Sequence, residues 1–390
     1  MATWNLDPAV IHLNHGSFGA TPVEVLALQS ELRAQMESNP VRFMLRQYQP
    51  ALETCRSELA GFVGADPDGL VFVPNATYGV NSVLRSVEDR LRPGDELVVT
   101  SQTYNACRNA VTATAARTGC SLVVADVPFP LSGPADVTEA VLGVVTPRTA
   151  LVLLDHVTSP TAVINPIEEI IAALDPSVMV LVDGAHAPGM IDVDVAALGA
   201  AFYTANCHKW LCSPKGAAFL WVAEPYRDSA VAASVSHGYN DGWPGSGSRF
   251  HAQFDWTGTD DATARLCVAR SLAVIGQHRS GGWAAVQAAN HELVCAGRDL
   301  LIAALSIDAP APAEMLGSIA AVPVPPEPQP SESIFDPLTT ALHERWSIEV
   351  PVFAWPQSPQ RLLRISAQQY NRLDDYHRLV DALTEELALG

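Results

Sequence analysis

The chain is poor in charge and has no basic runs. Only 17% of its 390 residues are charged, and 42 acids stand against 23 Lys and Arg, a net charge of −19. With no Lys or Arg cluster to break that balance, neither nucleic acid nor an anionic membrane is an expected partner. No apolar run is long enough to span a bilayer. The opening residues, MATWNLDPAVIHLNHGSFG, lack a basic n-region and a long apolar core, so no signal peptide is expected. No C-x-x-C pair occurs. The seven cysteines (Cys55, Cys107, Cys120, Cys207, Cys212, Cys267, Cys295) are odd in number and sit mostly in apolar segments. They read as reduced, buried thiols, which places the protein in the cytoplasm. Internal repeats are absent, low complexity is confined to a short proline cluster, and no metal site is expected.

What the chain does have is core-forming material, 48% hydrophobic residues over a length that allows two domains. An extended arm over residues 1–22 leads to a helix over Thr21–Glu37, with Thr21 as N-cap and Pro22 in the first turn. An arginine-bearing segment, Val41–Tyr48, precedes a helix over Pro50–Val63. Strands and helices then alternate. Strands are expected at Leu70–Pro74, Glu96–Ser101, Ser121–Val127 and Thr149–Asp155. Helices are expected at Asn75–Val87, Asn105–Thr118, Ala135–Val144 and Pro166–Leu174. This order predicts an α/β fold, a mostly parallel sheet covered by helices on both faces. Residues 224–261, rich in Gly, Ser and aromatics, read as one long loop of the functional kind. Helices follow at Ala262–Gln277 and Gly282–Leu305. A Pro-rich loop at Val322–Pro330, a strand at Arg361–Ser366 and a helix at Asp374–Leu387 complete a smaller C-terminal α/β part. The expected division is a large domain over 15–260 and a small one over 261–390, joined by the arm 1–14.

The stretch Val178–Leu220 organises the rest. An apolar run from Val178 to Val182 ends on Asp183. A second, Ala200–Ala205, delivers Asn206, Cys207, His208 and Lys209, and a third runs from Gly216 to Val222. Ligands sit at strand ends in α/β folds, so one strand presents a carboxylate and its neighbour an amine. A pyridoxal phosphate (PLP) site requires that pair: a lysine to form a Schiff base with the aldehyde, and an acid to hold the pyridine nitrogen protonated. Taken alone, Asp183-Gly184 could be a turn and Lys209 a surface lysine with its stem on apolar neighbours. Asn75-Ala76-Thr77 opens a helix after a strand, so it could present N–H groups to a phosphate or simply cap the helix.

These segments together resemble the class V aminotransferase family of fold type I PLP enzymes, and within it the isopenicillin N epimerase-like branch. The resemblance is carried by NHGSFG (14–19), Asn75–Thr77, DHVTSPT (155–161), DGAHAP (183–188), HKW (208–210) with SPKG (213–216), WTGTD (256–260) and LRISAQQYN (363–371). It implies PLP as cofactor, an amino-acid-type small molecule as substrate, and a homodimer with shared active sites. Lys209 would carry the cofactor and move the Cα proton, Asp183 would pair with the pyridinium, and His186 and Ser159 would contact the ring hydroxyl. Tyr104 would stack on the ring or else be a core aromatic. Asn75, Ala76, Thr77, Asn206 and His208 would hold the phosphate. Thr259 would reach the neighbouring subunit's phosphate or else cap the next helix. Arg364 would bind the substrate α-carboxylate, its alternative being an ion pair with one of the many acids. Asn14, His15 and Gly16 would close over the substrate. Cys207 reads as either a core residue or a site residue.

The reaction is less defined. A desulfurase would need a cysteine before the carboxylate-binding arginine, and none lies between Val322 and Arg364. An epimerase would need a second proton donor, with Tyr239, His237 and Lys215 as candidates. An aminotransferase would need a pocket for two amino acids in turn. Elimination from an S-substituted cysteine needs only Lys209 and a good leaving group. The expected function is therefore a C–S lyase, with an epimerase, a decarboxylating or deaminating enzyme, or an aminotransferase as alternatives.

Overall fold

Seven short apolar runs, each closed by polar or turn residues, become the strands of one sheet in the computed structural model, which describes residues 3–240, 245–327 and 336–388. They are β1 (Leu70–Val73), β2 (Glu96–Thr100), β3 (Ser121–Ala125), β4 (Thr149–Asp155), β5 (Met179–Asp183), β6 (Phe202–Asn206) and β7 (Ala218–Val222). Their order across the sheet is β1-β7-β6-β5-β4-β2-β3. The five strands from β2 to β6 run parallel, while β7 is antiparallel to both β6 and β1. Strands buried on both faces read as unbroken Val, Leu and Ile rather than alternating sequence, which is why the sheet is legible as short apolar runs. The register sets Asp155 of β4 beside Asp183 of β5, and Asp183 beside Thr204 of β6. The carboxyl ends of three adjacent strands thus deliver Asp155, Asp183 and Asn206 to one edge, the place where open α/β sheets bind ligands.

A second core lies around a three-stranded antiparallel sheet of β8 (Ile319–Val324), β9 (Val352–Ala354) and β10 (Arg361–Ser366), in the order β9-β10-β8. The helices Gly282–Leu305 and Leu373–Glu386 pack with it. The N-terminal arm is tied to this part. Ile11–His12 pairs in parallel with Ile348–Glu349, and Ser366 N–H donates to the Leu13 carbonyl at 2.9 Å.

Several local expectations change. The strand β8 runs to Val324, through the start of the expected Pro-rich loop; Pro323 is tolerated because β8 is an edge strand, and residues 328–330 of that loop lie outside the described residues. Within the expected long loop, Arg249–Asp255 is a buried helix whose first turn is capped by the Ser248 hydroxyl, accepting from His251 N–H at 3.1 Å; residues 241–244 lie outside the described residues. The expected helix at 262–277 is two, Thr263–Leu266 and Val268–Gly276. The helix expected from Thr21 starts at Val23 with Pro22 as N-cap, and the Thr21 hydroxyl instead donates to the Ser213 carbonyl at 3.1 Å. The NHGSFG turn contains a single helical turn, His15–Phe18.

Candidate active site

Lys209 lies three residues past the end of β6, in a loop held against two glycines. Gly19 takes a positive φ of 69°, and a Cβ there would stand 1.9 Å from the His208 carbonyl oxygen, so the arm can pass the lysine loop only as glycine. The Lys209 amine meets His186 Nε2 at 2.8 Å, and Trp210 Nε1 donates to His186 Nδ1 at 3.3 Å. With Nδ1 occupied as an acceptor, the imidazole proton sits on Nε2 and is donated to Lys209. That bond forms when the amine is neutral and accepts through its lone pair, the form a nucleophile or base requires. Burial, followed by the nearby Arg364 charge, pulls the Lys209 amine down to about 8, with Asp183 opposing. Burial and the Lys209 charge likewise hold His186 well below the usual imidazole range, so the ring is neutral.

Asp183 is buried at the end of β5 and accepts from the Cys107 thiol at 3.1 Å and from Ala185 N–H at 3.0 Å. Burial raises its carboxyl, while the thiol, the amide and the Lys209 charge favour the ionised form. On the other side of Lys209, the helix Ala76–Val87 opens onto the same cleft. Asn75 Oδ1 caps it, accepting from Tyr78 N–H at 2.8 Å, and Asn206 Oδ1 accepts from Ala76 N–H at 2.9 Å. The helix rests so closely on β6 that a Cβ on Gly79 would lie 2.1 Å from Thr204 Oγ1. Its first turn is a ready anion site. His208 borders it, the ring held by a 3.3 Å contact between Nδ1 and the Ala217 carbonyl.

Lys209, His186, Asp183, His208 and the first turn of the helix Ala76–Val87 line one cleft of about 160 Å³. Every cofactor-binding position expected from the sequence borders it except Thr259, which is exposed on the surface. Thr259 does not cap a helix either: the next helix begins at Thr263 with Ala262 as N-cap, and Asp261 accepts the Thr263 N–H at 3.0 Å. Tyr104 is no core aromatic; it borders the cleft with 47% of its surface exposed. Cys207 is buried and does not border the cleft, nor do Tyr239, His237 or Lys215. Lys215 donates to the Gly19 carbonyl at 2.9 Å.

The four expected substrate residues stand behind the cleft wall. Arg364 is buried and donates to the Ser159 carbonyl at 2.6 Å, to Ser159 Oγ at 3.0 Å and to Ser17 Oγ at 3.1 Å, all neutral acceptors. No acidic side chain among the described residues pairs with it, and burial lowers its guanidinium to about 10. His15 is fully buried, with Nε2 3.0 Å from the Lys209 carbonyl and Nδ1 3.0 Å from the Tyr370 hydroxyl, so it braces the lysine loop. Gly16 is buried beside the His186 ring, and Asn14 Oδ1 accepts from Ser17 Oγ at 2.6 Å. The arm meets the cleft through Ser17 and Phe18 instead. Ser17, Phe18, Asp155, Cys107 and Trp210 were missed as site residues. Ser17, Phe18, Asp155 and Trp210 all lie inside the family motifs; nothing local marks Cys107, which touches Asp183 across 76 residues.

The residues fit PLP on three counts: a buried acid, a buried amine with a lowered pKa in the same cleft, and a helix N-terminus for the phosphate. The comparisons agree. The family profile described as Aminotransferase class-V matches residues 17–325. An isopenicillin N epimerase of Amycolatopsis lactamdurans is 34% identical over 98% of this chain and 96% of its own. An Arabidopsis thaliana protein named "Probable L-cysteine desulfhydrase, chloroplastic" is 31% identical over 97% of this chain and 83% of its own. Among solved structures, a cysteine desulfurase from Escherichia coli superposes with a TM-score of 0.77 at 18% identity, covering 99% of this chain and 97% of the other, which shows a shared fold.

Proposed function

The chain belongs to the aminotransferase class-V family and is a PLP-dependent enzyme, and from that premise we propose that it is a C–S lyase acting on an S-substituted cysteine. The carrying observation is Arg364, a buried guanidinium without an acidic partner among the described residues, held just behind the cleft wall by Ser159, which borders the cleft with Lys209. A substrate α-carboxylate supplies the missing charge and fixes the amino acid with its Cα toward the amine. Bound PLP supplies an electron sink for the Cα carbanion. Lys209 takes the Cα proton as its neutral amine, and His186 holds the amine in place. Asp183 keeps the charge that holds the pyridine nitrogen protonated, and the first turn of the helix at Ala76 holds the phosphate with Asn75, Thr77, Asn206 and His208. Ser159 and His186 would contact the ring hydroxyl, and Tyr104 would stack on the ring. Elimination then breaks the Cβ–S bond. The sulfur leaves as a thiol, and the unsaturated product hydrolyses to pyruvate and ammonia.

Elimination is favoured because it needs one base, and Lys209 is the only lysine that borders the cleft among the described residues. Epimerisation is the second reading. Tyr104, which borders the cleft and is half exposed, is the group that could return a proton on the other face. Decarboxylating, deaminating and aminotransferase variants share the same first step. The relatives support both main readings, one being named an epimerase and one a desulfhydrase. Turnover of an S-substituted cysteine in deuterated water separates them. Pyruvate with released thiol is the expected result; recovered, inverted and deuterated substrate would establish the epimerase.

The working unit in this reading is a cytoplasmic homodimer. Its support is the exposed Thr259, which borders no cleft in its own chain, together with Phe18, 73% exposed at the rim of the cleft. Asn14, His15 and Gly16 act by placing Ser17 and Phe18 over the substrate. The division into 15–260 and 261–390 with the arm 1–14 is retained, the arm being tied to the small part through Leu13.

A further inference from the structure

Two carboxyl groups, not one, end the central strands. Asp155 and Asp183 are direct register partners on adjacent parallel strands, so both side chains leave the same face of the sheet. Both are 3% exposed, and both border the cleft. Two buried carboxyl groups this close cannot both ionise without a large penalty, so the pair holds a proton. Their donors differ. Asp183 accepts from a thiol and an amide, one on each oxygen, and Lys209 adds its charge. Asp155 accepts one amide, Tyr104 N–H on Oδ1 at 3.2 Å, while its Oδ2 is buried with no hydrogen-bond partner.

A buried carboxylate oxygen with no donor is costly; a carboxylic O–H at that position is less so. We propose that Asp155 is a neutral carboxylic acid in the working enzyme, keeping the pair's proton on Oδ2, offering that hydrogen to the cleft, and leaving Asp183 as the pair's single negative charge. The charged and titratable groups that face it are Asp183 on β5, Cys107 on the helix Asn105–Thr118, and Lys209 past β6. Burial and the Asp183 charge push the Asp155 carboxyl up to about 8, with Tyr104 N–H and the Thr103 hydroxyl opposing. Asp155 is thus a positioning residue. It sets the charge beside the pyridine ring at one, and a second charge develops only in mild alkali. The inference does not depend on which bond the enzyme breaks. It rests on the PLP reading only for the optical part of its test.

The test is an infrared and visible titration of the holoenzyme against Asp155→Asn. At pH 6.5 the wild type should show the carbonyl stretch of a neutral buried acid, absent from the variant and fading as pH passes about 8. The asparagine keeps a neutral donor at that position, so the cofactor absorbance at pH 6.5 should match wild type, while the optical step near pH 8 should vanish. Asp183→Asn should shift the absorbance at every pH. If Asp155→Asn fails to fold, the fading wild-type band still decides. An absent band, or an Asp155→Asn absorbance displaced at pH 6.5 as far as that of Asp183→Asn, would overturn the assignment. A protein that takes up no PLP would instead sink the cofactor reading while leaving the infrared band to judge Asp155.

Discussion

The strand β10 carries two buried arginines three residues apart, with opposite electrostatic fates. Arg361 donates to Asp336 at 2.8 Å and to the Pro325 carbonyl at 2.7 Å, an ordinary buried ion pair. Arg364, equally buried at 6%, finds only serine oxygens and a carbonyl. Arg56, in the large part of the molecule, repeats the first pattern. It is held by both oxygens of Asp255 at 2.9 and 2.8 Å, and its guanidinium is raised where that of Arg364 is lowered. Burial therefore does not separate these arginines; the missing counter-charge at Arg364 does. A cation left uncompensated in the interior destabilises the free protein, and that penalty is removed when an anion arrives.

The comparison can be broken by substitution. The largest effect is expected at Lys209, the group toward which the unpaired arginine would turn a bound substrate. Lys209→Ala should lower turnover by roughly 10³-fold or more, since it removes both the base and the cofactor linkage. Steady-state rates check this, and retention of more than a tenth of the wild-type rate would contradict the role. Next, Arg364→Ala should raise KM by about 100-fold for substrates with a free α-carboxylate, and little for decarboxylated analogues. Equal losses on both would make Arg364 structural.

Stability should then separate the two arginines of β10. Arg361→Met leaves Asp336 buried and unpaired and should cost about 3 kcal/mol, whereas Arg364→Met strands no charge and should leave the cofactor-free protein at least as stable. Urea unfolding of both variants is the measurement. A matching loss at both positions would erase the distinction.

A comparable effect is linked to pH. The Lys209 amine is depressed from 10.5 to about 8 in the fold, so between those values the unfolded chain binds more protons and stability rises with pH. Lys209 therefore destabilises the cofactor-free protein by about 3 kcal/mol below pH 8, a penalty that fades toward pH 10.5. Lys209→Met should be more stable than wild type at pH 7, with the gap closing near pH 10.5; a constant gap would mean an ordinary lysine. The smallest effect is expected at Trp210. Trp210→Phe frees His186 Nδ1 from its donor and should move the pH midpoint of turnover by a fraction of a unit, without changing KM.

Much of this was legible from residue order, and the losses have physical reasons. The strands of the large sheet are visible because each is an apolar run closed by a polar or turn residue. Asp183 and Lys209 are visible because the chain places them at strand ends. The strand β8 was hidden by Pro323, which reads as a breaker until its edge position is known. The helix Arg249–Asp255 was hidden by the glycine- and serine-rich sequence before it, although Ser248 followed by Phe250 and Phe254 at helical spacing is a usable signal. Contacts between residues far apart in the chain could not be read at all. His15 reaches the Lys209 carbonyl across 194 residues, Cys107 reaches Asp183 across 76, and, away from the site, Arg56 reaches Asp255 across 199. Such pairs follow from the packing of elements, which no local pattern records.

The central claim is that the amine in the HKW triplet is the group that holds the cofactor. Borohydride reduction of the purified holoenzyme, followed by peptide mass spectrometry, tests it most directly. A single phosphopyridoxyl group on the peptide bearing Lys209, blocked by prior saturation with an S-substituted cysteine, is the predicted result. A label on Lys215, or no label on a protein that has taken up PLP, would contradict it.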